Sequence, residues 1–188
     1  MTISRPPRFA TALAVAAAVT AAAVAPAGAA NTVTQTINAG TRSASVADLS
    51  LAAVTYSHSA QTSPGTLALT ADDSSGTGAG WNVTVQSSAF AYSGPNGGTA
   101  IPAANFSITS AGTAASTAGQ AVSALGGPNP PVTGSTGALD AARKTLAAAP
   151  GFGQGTYTQS LDVSLAIPAQ SRVGTYTGTM TVTISAGP

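Results

Sequence analysis

The chain has 188 residues and a formal net charge of +1, and only 6% of its residues are charged. It contains no cysteine, which excludes disulfides and thiolate metal sites, so the fold must rest on its apolar core. Beyond the first 30 residues, four basic side chains face five aspartates. The chain therefore lacks the basic stripe that would neutralise nucleic-acid phosphates, and no nucleic-acid partner is expected.

The N-terminus has the composition of a secretory signal peptide. A short basic region precedes an alanine and valine run over residues 10–24, and small residues follow. The run is shorter than the roughly 20 apolar residues that span a bilayer comfortably. We expect cleavage after Ala29 or Ala30, with an uncleaved anchor as the alternative. The sequence thus predicts a signal peptide over residues 1–30 and a single secreted domain over residues 31–188, with no membrane span after cleavage.

The remainder of the chain consists of short β-like runs separated by clusters of Gly, Pro, Ser and Asn. This spacing is typical of all-β proteins. We predict an antiparallel β-sandwich of the Ig-like or jelly-roll-like Greek-key type. Its first strands are predicted, from weak patterns, at residues 32–37, 43–48 and 49–57.

The strongest element of the first half surrounds Trp81, the only tryptophan. Trp81, Val83 and Val85 share one face of a strand because side chains alternate with period two. This strand is predicted to pair with residues 67–71 as a hairpin across the acidic, glycine-rich loop 72–80. Trp81 is predicted to be the centre of the core, with an exposed glycan-stacking platform as the alternative.

The second half contains further strand patterns. Phe106 and Ile108 lie on one side of an extended segment. Apolar and polar residues then alternate cleanly over residues 161–167 and 176–184. These two runs predict half-buried antiparallel strands that are joined around residues 168–174.

Residues 112–155 form a long insertion rich in Gly, Pro and Ala, where the strand signal is weak. One short helix is predicted inside it, beginning at Ser135 or the next residue and stopped by Pro150. Leu139 and Leu146 share one face of that helix.

Two segments carry a family resemblance. The C-terminal run from Tyr176 to Pro188, Y-T-G-T-M-T-V-T-I-S-A-G-P, resembles the distal signature of WxL surface proteins, Y-x-x-x-L-T-W-x-L-x-x-x-P. The run G-W-N-V-T-V, which begins at Gly80, is similar to the family's first W-x-L element with Val83 in place of Leu. Val182 stands where the family has its second tryptophan.

The resemblance implies a secreted β-sandwich that attaches non-covalently to the Gram-positive cell wall through peptidoglycan, in some cases beside other surface proteins. It implies a binding surface near the Trp81 loop and the Tyr176 strand. The candidate binding residues are Asp73, Trp81, Asn82, Tyr176 and Thr181. No enzymatic activity, cofactor or metal is expected.

Catalytic chemistry finds little support in the residues. His58 is the only histidine, and it lies in a polar run typical of a solvated loop. Asp72 and Asp73 are neighbours on a predicted strand, so they point to opposite faces and suit an acid/base pair poorly. Their loop offers oxygen ligands for calcium or, alternatively, an Asx turn in which a carboxylate accepts backbone amides.

The threonines along residues 176–184 are strong strand formers, and they also present a hydroxyl surface that suits glycan or ice. A second function class stays open beside wall binding. It is a structural, surface-layer or adhesin subunit that assembles through exposed strand edges.

Overall fold

A computed structural model describes residues 32–187, and apart from one 3-10 turn at Ala103–Asn105 their regular structure is β-strand. The predicted all-β class is confirmed. Among the described residues no helix is long and apolar enough to cross a bilayer. The predicted signal peptide lies outside these residues. The strands in chain order are β1 (Arg42–Val46), β2 (Gln61–Asp73), β3 (Trp81–Ser87), β4 (Ala91–Ser93), β5 (Phe106–Ala111), β6 (Ala115–Gly119), β7 (Gly137–Ala138), β8 (Arg143–Ala148), β9 (Gly155–Ile167), β10 (Thr175–Thr177) and β11 (Met180–Ala186).

A six-stranded antiparallel sheet holds the two longest strands side by side. Its order is β1-β2-β9-β5-β7, and β6 pairs with β9 beyond the end of β5. β2 and β9 have 13 residues each and pair along their whole length, from Gln61 opposite Ile167 to Asp73 opposite Gly155. Buried and exposed side chains alternate along both strands, so one face of the sheet is committed to the core.

A three-stranded sheet, ordered β11-β3-β8, packs against the large sheet. Trp81, Val83 and Val85 point inward as predicted, and all three are fully buried. The strands that carry the two WxL-like segments are neighbours in this sheet, with Val182 opposite Val85. A separate two-stranded sheet joins β10 to β4.

The core between the sheets consists of aliphatic side chains around a pair of aromatic rings. The ring centroids of Trp81 and Tyr157 lie 6.1 Å apart, and their planes are inclined at 46°. Phe106 and Ile108 share the core, as their common side predicted. Its other large members are Leu67, Leu69, Ile101, Leu139, Leu146, Leu161, Val163 and Leu165.

The predicted hairpin between residues 67–71 and the Trp81 strand is wrong. β2 pairs with β1 and β9, whereas β3 pairs with β8 and β11. The loop 74–80 therefore carries the chain from one sheet to the other, and three of its glycines have the positive φ angles that glycine adopts without strain. Period-two alternation is the same whether two strands pair edge to edge or face each other across a core, so the pattern alone could not separate the two arrangements.

The short helix predicted between Ser135 and Pro150 is also wrong. This part of the chain forms β7 and β8, and β8 pairs with β3 so that Ala148 lies opposite Trp81. Leu139 and Leu146 are fully buried in the core from these positions. Their burial outweighs helix propensity, which differs by only about 0.7 kcal/mol between ordinary residues. The insertion is thus ordered around three strands rather than one helix.

The strands predicted from weak patterns before residue 58 are only partly confirmed. β1 confirms the strand predicted at residues 43–48, but residues 32–37 and 49–57 form no strand. The strand predicted over residues 161–167 lies within β9, but the one predicted over residues 176–184 is divided between β10 and β11, which belong to different sheets. β9 belongs to the large sheet and β11 to the small one, so they are not partners. Residues 37–187 belong to one compact unit, and residues 32–36 are grouped apart from it.

Candidate functional site

Trp81 fastens one end of the sandwich, where the loops 74–80 and 149–154 come together. We call this region the Trp81 end. The indole Nε1–H donates to the carbonyl of Gly153 at 2.8 Å, and the ring packs against Tyr157. The side chain is fully buried, which confirms the core position and contradicts an exposed stacking platform. Trp81 thus holds loop backbone in place from beneath the surface.

The close approach of loop and ring depends on glycine. Gly153 has φ of 77°, and a Cβ placed on it would lie 2.4 Å from the Cβ of Ala148 and 2.7 Å from Nε1 of Trp81. Gly80 is equally constrained, because its Cβ would come within 2.5 Å of the Ala148 carbonyl oxygen. Both loops can reach the tryptophan only where no side chain intervenes.

Asp73 ends β2 with its side chain turned inward and forms the Asx turn predicted as one alternative for this loop. Its Oδ1 accepts the backbone N–H of Ser75 at 3.0 Å and the Ser75 hydroxyl at 2.5 Å. The guanidinium of Arg42 lies 3.1 Å from the same oxygen and also donates to the Thr77 hydroxyl at 2.7 Å. Asp73 Oδ2 is buried without a hydrogen-bond partner among residues 32–187, and within this range Arg42 is the one cation in contact with the carboxylate.

The electrostatics of this turn favour the ionised carboxylate. Burial raises the pKa of Asp73, but the hydrogen bonds from Ser75 and the nearby Arg42 outweigh burial and hold that pKa below its ordinary value. Burial, aided by the negative charge of Asp73, raises the pKa of the Tyr157 phenol. The two groups are therefore stabilised as an anion and a neutral phenol.

Asp72 points the other way, toward the outer face of the large sheet. Its Oδ1 accepts the Thr156 hydroxyl at 2.7 Å, and its Oδ2 accepts the Ser74 hydroxyl at 2.8 Å. Within residues 32–187 no three His, Cys, Asp or Glu side chains gather into a group that could hold a metal ion. Both carboxylate oxygens of Asp72 are thus occupied by donors from the chain itself.

The outer surface of the small sheet is polar. Residues paired across neighbouring strands share a face, so three cross-strand pairs of β11 and β3 form one surface, which we call the hydroxyl face. Its Thr181 and Thr183 are exposed, and its Asn82 donates through Nδ2 to the Gly187 carbonyl at 2.8 Å. The pairs are Thr181 with Gln86, Thr183 with Thr84, and Ser185 with Asn82.

Tyr176 lies elsewhere, on β10. Its ring packs on Tyr92 with centroids 5.3 Å apart, and its hydroxyl donates to the Arg172 carbonyl at 2.9 Å. It lines a cavity of about 860 Å³ between residues 52–56 and residues 172–177, which we call the groove. The groove opens where the long strands β2 and β9 extend beyond the small sheet.

The five residues predicted from the sequence thus fall in three places. Asp73 and Trp81 are buried at the Trp81 end, Asn82 and Thr181 lie on the hydroxyl face, and Tyr176 lines the groove. The prediction missed the groove altogether and several partners of the Trp81 end. Of these partners, Arg42 was the easiest to predict from the sequence, because a chain with so few cations offers few counter-charges for an inward-facing aspartate.

The arrangement shows no catalytic constellation among the described residues. His58, the only histidine, is exposed, as predicted for a loop residue, and its ring lies 5.2 Å from that of Tyr56. The nearest thing to an acid pair, Asp72 and Asp73, points to opposite faces of β2. The hydroxyl face and the groove are two surfaces suited to binding.

Comparison with known proteins gives one decisive match. The family model described as "WxL domain surface cell wall-binding" matches residues 18–188, which is nearly the whole chain. The chain belongs to the WxL family. This WxL chain has no match among the curated proteins or among the solved structures. Its family is one of surface domains that bind the cell wall, not a family of enzymes.

Proposed function

We propose that this WxL chain is a secreted, non-enzymatic surface protein that holds non-covalently to the bacterial cell wall, with peptidoglycan as its ligand. The observation that carries the proposal is the family match over residues 18–188. We further propose that the wall is Gram-positive and that other surface proteins are its neighbours, and the same family match supports this part of the proposal. The protein is proposed to act after loss of residues 1–30, as one domain over residues 31–188.

The hydroxyl face is the surface that we propose for wall contact. Ser, Thr, Asn and Gln side chains both donate and accept hydrogen bonds, as sugar hydroxyls and N-acetyl groups do. Each such bond contributes only about 1 kcal/mol, so binding requires an array of them, and the pairs of β11 and β3 provide one. Trp81 and Asp73 are buried, and their proposed part is to hold the adjoining loops in position.

The charge of this surface predicts how binding responds to salt. Lys144, on the neighbouring strand β8, pairs with Thr84 and is the one ionisable residue in register with the face. Contacts made by neutral hydrogen bonds are screened little by salt, unlike those made by ion pairs. We therefore expect wall binding to persist at high ionic strength.

Co-sedimentation with purified cell walls tests the proposal. The secreted protein should pellet with walls at low and at high salt. The variant T181V/T183V, which removes two exposed hydroxyls and keeps β-branched side chains, should pellet several-fold less. The matched control T62V/T70V removes two exposed hydroxyls from the large sheet and should pellet like the wild type.

Two results would overturn parts of the proposal. A wild-type protein that stays in the supernatant rules out wall binding. Equal loss in both double variants, or in neither, rules out the hydroxyl face as the contact surface. The mass of the wall-associated chain checks export separately, because a secreted domain should begin at Ala30 or Asn31.

A further inference from the structure

The chain between β1 and β2 continues along the edge of the large sheet without joining it. The Ala47 N–H donates to the Ala68 carbonyl at 3.0 Å, and the Ser63 hydroxyl donates to the Ala52 carbonyl at 3.1 Å. Both contacts keep the register in which Val46 lies opposite Leu69. The segment after β1 therefore runs extended and antiparallel to β2, although it forms no ladder of backbone hydrogen bonds there.

Side-chain packing draws this segment out of the plane of the sheet. Leu49 and Leu51 are half-buried, and a Cβ on Gly65 would lie 2.6 Å from a methyl group of Leu51. The leucines thus cover the inner face of β2 where the small sheet no longer reaches. Beyond them the chain is exposed, and among residues 32–187 no backbone hydrogen bond reaches residues 53–56.

The opposite wall of the groove also has an open backbone edge. β10 pairs with β4 on one side only among the described strands. Val173, just before it, is 71% exposed, and Val54 and Tyr56 on the facing wall are exposed as well. All three line the groove, and Arg172 is the one charged residue among those that do. An extended chain lying here would find unpaired backbone beside it and apolar side chains around it.

One described segment of this protein has the matching chemistry. Residues 32–37, T-V-T-Q-T-I, are uncharged, and all but one are β-branched, which favours a strand. They form no strand in the structure, and Val33 and Ile37 are 96% and 91% exposed. In an extended chain these two side chains share a face, while the threonines point to the other. Six residues span about 20 Å as a strand, comparable with the five-residue stretch that they would face.

Large exposed apolar side chains support this pairing. Seven are found among the described residues, and five of them are Val33 and Ile37 on the segment and Val54, Tyr56 and Val173 at the groove. Neither surface would bury a carboxylate, so joining them carries no cost for removing an unpaired charge from water. The segment and the groove match in length and in polarity, and the groove offers unpaired backbone groups to an added strand.

We propose that the groove accepts residues 32–37 of a second copy of this chain as an added strand. The donated strand pairs its backbone with residues 52–56 and turns Val33 and Ile37 into the cavity, while its threonines face water. Because the donor and acceptor surfaces differ, the contact is head-to-tail and extends into chains unless two copies exchange strands reciprocally. Such an added strand is a specific case of the strand-edge assembly that was the second function class considered from the sequence. The proposal does not depend on wall binding.

The test is self-association of the secreted protein in the absence of walls, measured by sedimentation velocity over a range of concentrations. The wild type should form larger species as concentration rises. The donor variant V33S/I37S should associate at least tenfold more weakly, as should the acceptor variant V54P, which removes a backbone donor. The control L125S/V132S changes two equally exposed apolar residues elsewhere and should behave like the wild type.

Complementation makes the test specific. The donor variant retains its groove and the acceptor variant retains its segment, so a mixture should form a heterodimer that neither forms alone. If V54P disturbs folding, Val173→Ser replaces it as the acceptor variant. A wild type that stays monomeric overturns the proposal, even if its groove is filled by its own segment. Equal loss in the control, or no heterodimer in the mixture, overturns it as well.

Discussion

At the Trp81 end, the loops are fastened by an indole N–H, an Asx turn and an ion pair, whereas the two walls of the groove share no hydrogen bond among residues 32–187. The difference follows from strand length. β2 and β9 have 13 residues, but β3 of the facing sheet has only seven, so the small sheet covers one end of the large one. Where it stops, irregular segments cover the core incompletely. Stability is therefore expected to reside at the Trp81 end and association at the groove.

The largest expected contrast is between the aromatic residues of the two ends. Trp81→Ala should lower the free energy of unfolding by about 3–5 kcal/mol, because it leaves a large cavity and an unpaired Gly153 carbonyl. Tyr176→Ala, at the half-buried ring of the groove, should cost about 1 kcal/mol. Urea unfolding of both variants measures the difference, and equal costs would contradict the division between the ends.

The ion pair of the Trp81 end should be the next largest contribution. Arg42→Met leaves the buried Asp73 carboxylate without its counter-charge and should cost about 3 kcal/mol. Asp73→Asn should cost clearly less in the Arg42→Met background than in the wild type, because the charge is then already uncompensated. Unfolding free energies of the four proteins form the required cycle, and additive costs would show that the two side chains are not coupled.

Two glycines of one loop separate backbone strain from packing. Gly151 and Gly153 both have positive φ, but a Cβ on Gly151 meets nothing within 4 Å, whereas one on Gly153 meets Ala148 and Trp81. Gly151→Ala should cost about 1 kcal/mol from strain alone. Gly153→Ala should cost about 2 kcal/mol more, because the loop must move off the tryptophan. Thermal unfolding compares them directly, and equal shifts would mean that the close contact is unimportant.

Acid should weaken the Trp81 end selectively. The pKa of Asp73 is lowered in the folded protein, so its ionised form stabilises the fold above the unfolded value of 3.8. That contribution is lost as pH falls through the folded pKa. Urea midpoints of the wild type should therefore drop below about pH 4 more steeply than those of Asp73→Asn. Parallel curves would show that another carboxylate governs acid sensitivity.

The smallest effect on stability is expected at the groove, where the effect on association should be large. Val173→Ser should change the free energy of unfolding by less than about 0.5 kcal/mol, since the side chain is mostly exposed. The same variant should weaken self-association in sedimentation velocity. A large loss of stability would make Val173 part of the core rather than of a docking surface.

The sequence predicted those features that depend on local alternation. The inward face of Trp81, Val83 and Val85, the shared side of Phe106 and Ile108, and the all-β class all follow from period two. The pairing of strands could not be predicted from the same pattern, because the alternation of side chains does not depend on which sheet a strand joins. The helix expected before Pro150 is absent for a related reason: Leu146 pairs with Val83 of β3, and the Leu139 carbonyl accepts the Ser87 N–H, both across more than 50 residues of chain.

The candidate site was predictable only in part. The Asx turn at Asp73 follows from local sequence chemistry, and Thr181 was expected on a hydroxyl surface because its strand alternates cleanly. The groove was not predictable, because it exists where two long strands outrun a shorter sheet, and strand length is set by distant pairing. The pattern of residues 49–57 predicts a strand. Nothing in that pattern indicates that Leu49 and Leu51 pack on the inner face of β2 and keep the segment out of the backbone hydrogen-bond ladder.

The pairing of β2 with β9 also sets the order in which the protein can fold. Each residue of β2 pairs with a residue 82 to 106 positions further along the chain, so the central ladder closes a very long loop. Strands this far apart in sequence pair slowly during folding, because closing the loop costs chain entropy before any stabilising contact forms. No part of the central ladder can form until residues beyond 155 are available. β2, paired with β1 alone, must therefore wait for residues 155–167 before the central ladder can close.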